Sequence, residues 1–233
     1  MQRFRIIVLI MILNTQLAIL SMRAQEDVEY RMEIGAGAGM VSYEGDFNGS
    51  IVKDMRPMGT ILTRYNINPY MGLKFNVSCG KLHGSSADNK TYYPDYASKT
   101  YDFNSTLMDV CFTYEYNFWP YGTGHDYFGA KKVTPFIFGG LGATSVSGGE
   151  KNVFTANMPL GIGVKYKIGT RANLGVEWAM HFSFSDELDG VKDPYSIQSS
   201  GIFKNTDCYS VLQITLTYSF WAKCRTCHNN DEN

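Results

Sequence analysis

Apolar and polar residues alternate along several stretches of this chain, most clearly in residues 103–118. Even positions there are apolar or aromatic and odd positions are mostly polar: Met108, Val110, Phe112, Tyr114, Tyr116 and Phe118 alternate with Asp109, Cys111, Thr113, Glu115 and Asn117. Successive side chains of a β-strand point to opposite faces. The pattern therefore predicts a strand with one apolar and one polar face.

The same period of two recurs along the chain. It is strong in residues 171–185 and 207–220, and weaker in residues 30–43, 57–65, 70–83, 133–147 and 156–168. Helical spacing fits these stretches badly, and their threonine and tyrosine content favours sheet. The sequence therefore predicts an all-β fold of eight strands.

A soluble sandwich also alternates, so two further features decide the type of β fold. The segments run about 10–14 residues, which is near the ~9–11 of a tilted transmembrane strand and above the ~5–6 of soluble strands. Aromatic residues gather at segment ends, as in the girdles of membrane barrels: Tyr30, Tyr43, Tyr65, Tyr70, Tyr101, Phe103, Phe118, Trp119, Tyr166, Phe184, Tyr209, Phe220 and Trp221. We predict an eight-stranded antiparallel up-and-down transmembrane β-barrel over residues 25–220, with a soluble periplasmic sandwich or barrel as the alternative.

Residues 1–24 read as a cleaved secretory signal peptide. Arg3 and Arg5 precede an apolar stretch, and Ala24 offers a small residue for cleavage. A retained anchor is the alternative, although the apolar run is shorter than the ~20 residues of a spanning helix. The balance of 21 basic and 22 acidic residues argues against a nucleic-acid partner. These features predict an integral protein of the bacterial outer membrane, in contact with its lipid.

The polar face carries charges that a barrel would enclose. Lys74, Glu115, Lys165 and Glu177 lie on the predicted inner face. The interior of an eight-stranded barrel is just wide enough to be filled by side chains, and a buried charge without a partner is strongly destabilising. We therefore expect these charges to pair across the lumen, and we expect no conduit for a folded protein.

The connections differ in length in a way that predicts an orientation. With both termini periplasmic, the extracellular connections are residues 44–56, 84–102, 148–155 and 186–206, and the periplasmic ones are residues 66–69, 119–132 and 169–170. Periplasmic turns are usually short, so the long, aromatic connection 119–132 is an exception that suggests a function. Residues 221–233 form a predicted periplasmic tail. The predicted partner-binding residues of these two segments are Trp119, Tyr121, Tyr127, Phe128, Trp221 and Lys223.

Several short pieces occur in an order that points to a known family. They are residues 34–46 (IGAGAGMVSYEGD), 64–68 (RYNIN), 106–110, 115–118, 134–142 (TPFIFGGLG), 161–165 (GIGVK), 186–189 and 207–220. In this order they resemble the PorG-type outer-membrane barrels of the type IX secretion system of Bacteroidetes. The resemblance implies a non-enzymatic accessory or scaffold that accompanies a periplasmic ring made of a lipoprotein and its partner subunit. The resemblance implies no catalytic residues in this chain.

Three local patterns could serve ligand binding or, for the strand cysteines, redox chemistry, and each also has a structural interpretation. Cys224 and Cys227 followed by His228 match the c-type haem attachment pattern, but a tail disulfide or free thiols explain them as well. The acidic residues of the segment 186–193 could bind Ca²⁺, although a solvated loop is the simpler interpretation. Cys79, Cys111 and Cys208 are interpreted as small apolar strand residues. We predict no cofactor and no metal site.

Two alternative functions are open at this stage. His181, Ser183 and Glu177 share one strand face and imitate a hydrolase triad, but residues in a row along a strand need not bring the Ser oxygen to the His nitrogen. We therefore predict no enzymatic activity. The second alternative is a barrel that binds a lipid or small ligand through the loops 84–102 and 186–206. The first of these loops contains Tyr92, Tyr93, Tyr96 and Tyr101, which could form an aromatic binding surface.

Overall fold

The computed structural model describes residues 28, 30–44, 55–85, 102–121, 131–148, 152–184 and 208–222. Within these ranges the chain forms β1 (Tyr30–Glu44), β2 (Arg56–Asn68), β3 (Met71–Ser85), β4 (Asp102–Asn117), β5 (Val133–Ser147), β6 (Val153–Lys167), β7 (Ala172–Ser183) and β8 (Cys208–Ala222). Each of the eight predicted segments is confirmed as a strand. The described part of the chain contains no helix that is long and apolar enough to cross a membrane.

The strands form a closed antiparallel barrel in which each strand pairs with the next and β8 pairs with β1. Met40 of β1 lies opposite Leu212 of β8 on one side and Pro57 of β2 on the other. Tyr30 lies opposite Ala222, so the first and last strands begin and end at the same edge. We call this edge the terminal rim and the opposite edge the far rim. The predicted signal peptide, residues 1–24, lies outside the described residues.

The outward face of the barrel is apolar and exposed, whereas the lumen side is polar and buried. Leu141 on β5 is 67% exposed, and Ile61 and Ile214 on other strands are also exposed, while Glu115 is 0% exposed. Water drives apolar surface inward, so a soluble barrel would have the reverse arrangement. A closed sheet pairs its own backbone groups, as the lipid core requires. The chain is therefore an eight-stranded barrel of the outer-membrane type, and the soluble alternative is wrong.

The aromatic residues at strand ends divide between the two faces. Those exposed near the terminal rim are Tyr65, Phe118, Trp119, Tyr166, Tyr218, Phe220 and Trp221, and Phe184 is exposed beyond β7 at the far rim. Tyr43 and Tyr209 were expected in a girdle, but both are fully buried in the lumen. They occupy odd positions, which face inward on β1 and β8, so strand parity overrides their place at the strand end.

A close approach between β4 and β5 requires glycine at position 140. A Cβ atom there would overlap the carbonyl oxygen of Phe112 and lie 2.7 Å from the Cα of Thr113. We expect Gly140→Ala to lower the unfolding free energy by about 2 kcal/mol, because the crowded atoms belong to backbone. Urea unfolding in detergent micelles, followed by tryptophan fluorescence, measures this loss.

Gly59→Ala is the matched control. A Cβ at position 59 of β2 would meet nothing within 4 Å. Its unfolding midpoint should equal or slightly exceed that of the parent chain, since alanine restricts the unfolded chain more than glycine does. If Gly59→Ala and Gly140→Ala lowered the unfolding free energy equally, the close approach between β4 and β5 would be contradicted.

Candidate functional site: the charged lumen and the terminal rim

Six charged side chains from six strands meet in the lumen, nearer the terminal rim than the far rim. They are Glu33, Arg64, Lys74, Glu115, Lys165 and Glu177, and all are buried. Strand register explains part of the cluster, because Glu33 lies opposite Arg64 and Arg64 lies opposite Lys74. The predicted pairing of charges across the lumen is confirmed, and Glu33 and Arg64 extend it. Sequence reasoning missed these two, although their inward parity beside Ile34 and Tyr65 was a usable signal.

Arg64 and Glu115 are the centre of this charge network. Arg64 Nη1 lies 2.5 Å from Glu33 Oε2, and Arg64 Nε lies 2.7 Å from Glu115 Oε2. Glu115 also contacts Lys74 Nζ at 3.2 Å and Lys165 Nζ at 2.6 Å. Glu177 completes the network through Lys74 Nζ at 2.7 Å. Among the described residues, the network therefore balances three carboxylates with three cations.

Neutral donors add further hydrogen bonds to two of the three carboxylates. Asn66 Nδ2 donates to Glu33 Oε1 at 2.9 Å, and Thr217 Oγ1 donates to Glu33 Oε2 at 2.9 Å. Gln213 Nε2 donates to Glu177 Oε2 at 2.8 Å. Hydrogen bonds of this kind are what a buried ion pair needs to offset the loss of hydration.

Two aromatic rings form a wall beside the network. Phe136 and Phe138 stack with ring centroids 5.7 Å apart. Lys165 Nζ lies 4.4 Å from the centroid of the Phe136 ring, and Lys74 Nζ lies 4.3 Å from that of Phe138. A Cβ at Gly161 would overlap the Phe138 ring, so glycine there leaves the space that the ring fills. Cations over ring faces are attracted by the π-system, and the rings fill the lumen.

The hydrolase-like set on β7 is not assembled around Glu177. The Glu177 carboxylate is bound to Lys74 and Gln213. His181 Nδ1 instead lies 3.7 Å from Asp109 Oδ2, and its ring stacks on Tyr209. The acid that a triad requires to orient its histidine is therefore engaged elsewhere.

The predicted partner-binding residues have different environments. Trp119 is 49% exposed and Trp221 is 67% exposed, both at the terminal rim. Tyr121, by contrast, is buried: its hydroxyl donates to Asn173 Oδ1 at 3.0 Å, and its backbone N–H donates to the Pro69 carbonyl at 3.0 Å. Burial raises the pKa of the Tyr121 phenol, which keeps it a donor. Tyr121 therefore packs over the lumen mouth and is not on the free surface, contrary to expectation.

Other predicted features lie outside the described residues. They are Tyr127, Phe128, Lys223, the loop 84–102 apart from its described ends, the whole loop 186–206 with its acidic segment 186–193, and the tail with Cys224, Cys227 and His228. Of the strand cysteines, Cys79 is exposed on the outer face, but Cys111 is buried in the lumen. Cys111 Sγ donates to Asp109 Oδ2 at 3.0 Å, so its thiol is also a hydrogen-bond donor in the lumen.

Comparison with known proteins adds a family and a set of similar folds. A family model described as a domain of unknown function (DUF6089) matches residues 5–229. The barrel is similar to Neisserial surface protein A, with 14% identity over 81% of this chain and 97% of that one, and a TM-score of 0.49. It is also similar to Ail of Yersinia pestis (10% identity, 84% and 100% covered, TM-score 0.42) and to a major outer membrane protein of Thermus thermophilus (12%, 82% and 98%, 0.45). No curated protein matches the chain.

Proposed function

The chain belongs to the family of the domain of unknown function DUF6089, and we propose that it is a non-enzymatic anchor. In this proposal the barrel fixes a periplasmic complex to the outer membrane through its terminal rim. The finer proposal is that this complex is the periplasmic ring of the type IX secretion system. The resemblance of several short pieces, in their order along the chain, to PorG-type barrels supports that choice of partner.

The filled lumen is the observation that carries the proposal. Arg64, Glu115 and their partners occupy the interior at ion-pair distances of 2.5–3.6 Å. An eight-stranded barrel filled in this way has no room for a polypeptide in transit. A role in secretion must then be exercised by the surfaces of the barrel, as an anchor or assembly platform.

The terminal rim is the surface best suited to this role. Trp119 and Trp221 expose large aromatic side chains there, and aromatic residues are enriched at the centres of protein interfaces. Trp221 also has a φ of 64°, a left-handed conformation that few non-glycine residues adopt. Such local strain persists where surrounding structure enforces it and is common at functional positions. Orientation of this rim toward the periplasm is part of the proposal.

Photo-crosslinking in cells tests the anchor. A benzoylphenylalanine placed at Trp119 or Trp221 is expected to capture a ring subunit, because both positions lie on the exposed rim. Phe154 of β6, 77% exposed near the far rim, is the matched control and should capture none. A strain lacking the protein is expected to lose secreted cargo while its outer-membrane permeability stays normal.

The outcomes separate the two levels of the proposal. Capture of another periplasmic protein at Trp119 or Trp221 would support the anchor and overturn the type IX assignment. Crosslinks to lipid alone at both positions would show that the two tryptophans serve only as interfacial girdle residues. In that case the anchoring role itself is refuted.

A further inference from the structure

Three side chains with metal-binding atoms meet in the lumen outside the charge network. Asp109 and Cys111 come from β4 and His181 comes from β7, and all three are buried. Cys111 Sγ lies 3.0 Å from Asp109 Oδ2 and 4.0 Å from His181 Nδ1. His181 Nδ1 lies 3.7 Å from Asp109 Oδ2. The three atoms form a compact triangle of oxygen, sulfur and nitrogen.

The size of this triangle matches a tetrahedral zinc site. With bonds of about 2.3 Å to sulfur and about 2.0–2.2 Å to nitrogen or oxygen, ligand atoms in such a site lie roughly 3.3–3.6 Å apart. The three observed separations of 3.0, 3.7 and 4.0 Å bracket this range. Small rotations of the three side chains would therefore place all ligand atoms at bonding distance from one ion.

Charge balance in the lumen also points to a cation. Among the described residues, four carboxylates, three lysine or arginine side chains and one histidine are buried. The charge network pairs three of these carboxylates with the three cations. The fourth carboxylate, that of Asp109, has no cation of the network to balance its charge. A divalent ion bound by the Asp109 carboxylate and the Cys111 thiolate would form a neutral group. Neutral groups are far less costly to bury than unbalanced charges.

The surroundings orient two of the three ligands. Asp109 Oδ1 accepts hydrogen bonds from Thr144 Oγ1 at 3.0 Å and from Asn157 Nδ2 at 2.6 Å. The His181 ring stacks on Tyr209 with centroids 4.5 Å apart and planes 19° apart. Outer contacts that hold ligand side chains in place are a regular feature of metal sites. A cavity of about 20 Å³ is lined by the three ligands, which is enough for one water molecule as a fourth ligand.

We propose that Asp109, Cys111 and His181 bind a zinc ion at an open tetrahedral site inside the barrel. A thiolate with an imidazole selects zinc over Ca²⁺ or Mg²⁺, which prefer oxygen ligands. Binding replaces the thiol proton of Cys111, which is released to the solvent. The ion links β4 to β7 across the lumen. This site departs from the sequence-based prediction that the chain has no metal site.

Cobalt titration of the full chain tests the site. The barrel is refolded in detergent micelles with reductant and chelator, freed of chelator, and titrated with Co²⁺, which reports thiolate and tetrahedral coordination by its absorption. We expect one equivalent to bind with a thiolate-to-cobalt band and to be displaced by Zn²⁺. Cys111→Ser should abolish that band. His181→Gln should weaken binding by at least about tenfold.

Two controls exclude the exposed thiol of β3 and the two tail thiols. Cys79→Ser removes a cysteine that is exposed on the outer face, and its titration should match that of the parent chain. Cys224→Ser with Cys227→Ser removes the tail thiols, which with His228 could bind metal themselves. The band should persist in this double variant. A band that survives Cys111→Ser, or that disappears with the tail thiols, overturns the proposal.

If Cys111→Ser does not fold, X-ray absorption spectroscopy at the zinc edge tests whether the site binds zinc. The sample is the Cys224→Ser/Cys227→Ser chain, which keeps the lumen intact. One sulfur at about 2.3 Å with nitrogen or oxygen at about 2.0–2.2 Å supports the site. A shell without sulfur, or a folded barrel that retains no zinc, overturns it.

Discussion

Glu115→Gln is expected to lower the unfolding free energy of the barrel by about 3–5 kcal/mol. The Glu115 carboxylate contacts Arg64 at 2.7 Å, Lys74 at 3.2 Å and Lys165 at 2.6 Å. A neutral amide would leave these three cations close together with one carboxylate fewer to balance them. The loss measures the cost of a buried charge left without its partner, not the net contribution of the network. Urea unfolding in lipid vesicles, followed by tryptophan fluorescence, gives the value.

Two further variants identify the network as the cause. Glu33→Gln is the matched substitution: Glu33 forms its ion pair with Arg64 alone among the described residues, so a smaller loss is expected. Adding Lys165→Met to Glu115→Gln restores the charge balance, and should recover at least about 1 kcal/mol because the two residues are in direct contact. Equal losses for the two glutamates, or no recovery in the double variant, would contradict the description of the lumen.

Leu141→Arg is expected to destabilise the barrel in lipid vesicles by about 2–4 kcal/mol. Leu141 is near the middle of β5 and is exposed on the outer face. A guanidinium placed there would face hydrocarbon at the depth where charge is most costly. The same unfolding assay measures the effect.

Depth supplies the control for this substitution. Ile168 follows β6 at the terminal rim and is also exposed. Ile168→Arg should lower the unfolding free energy by only about 0–1 kcal/mol, since the membrane interface tolerates charge. Similar values at positions 141 and 168 would mean that the outer face of β5 does not contact the bilayer core.

The alternation of apolar and polar residues was sufficient to predict the strands. Inward parity also placed Lys74, Glu115, Lys165 and Glu177 in the lumen, because strand periodicity is a local property of the chain. The sequence analysis misplaced Tyr43 and Tyr209 in an outer girdle, because their position at a strand end was given more weight than their inward parity. The lesson is that parity decides the face and strand ends decide only the depth.

The zinc ligands could not be predicted in the same way. Cys111 and His181 are 70 positions apart in the chain and belong to strands that are not paired. Their approach depends on the curvature of the closed sheet and on the space left opposite each strand. Neither the curvature of the sheet nor the space opposite a strand can be derived from the local alternation of apolar and polar residues. The burial of Tyr121 is similarly non-local, because it depends on contacts with Pro69 and Asn173 from other parts of the barrel.

The seam between β1 and β8 has a consequence for biogenesis. Tyr30 pairs with Ala222 and Glu44 with Cys208, so the first strand finds one of its two neighbours only at the other end of the chain. A partly synthesised polypeptide would expose two unsatisfied sheet edges, which readily pair with other molecules. Because β8 is the last strand in the chain, the barrel can close only after residue 222 has been synthesised.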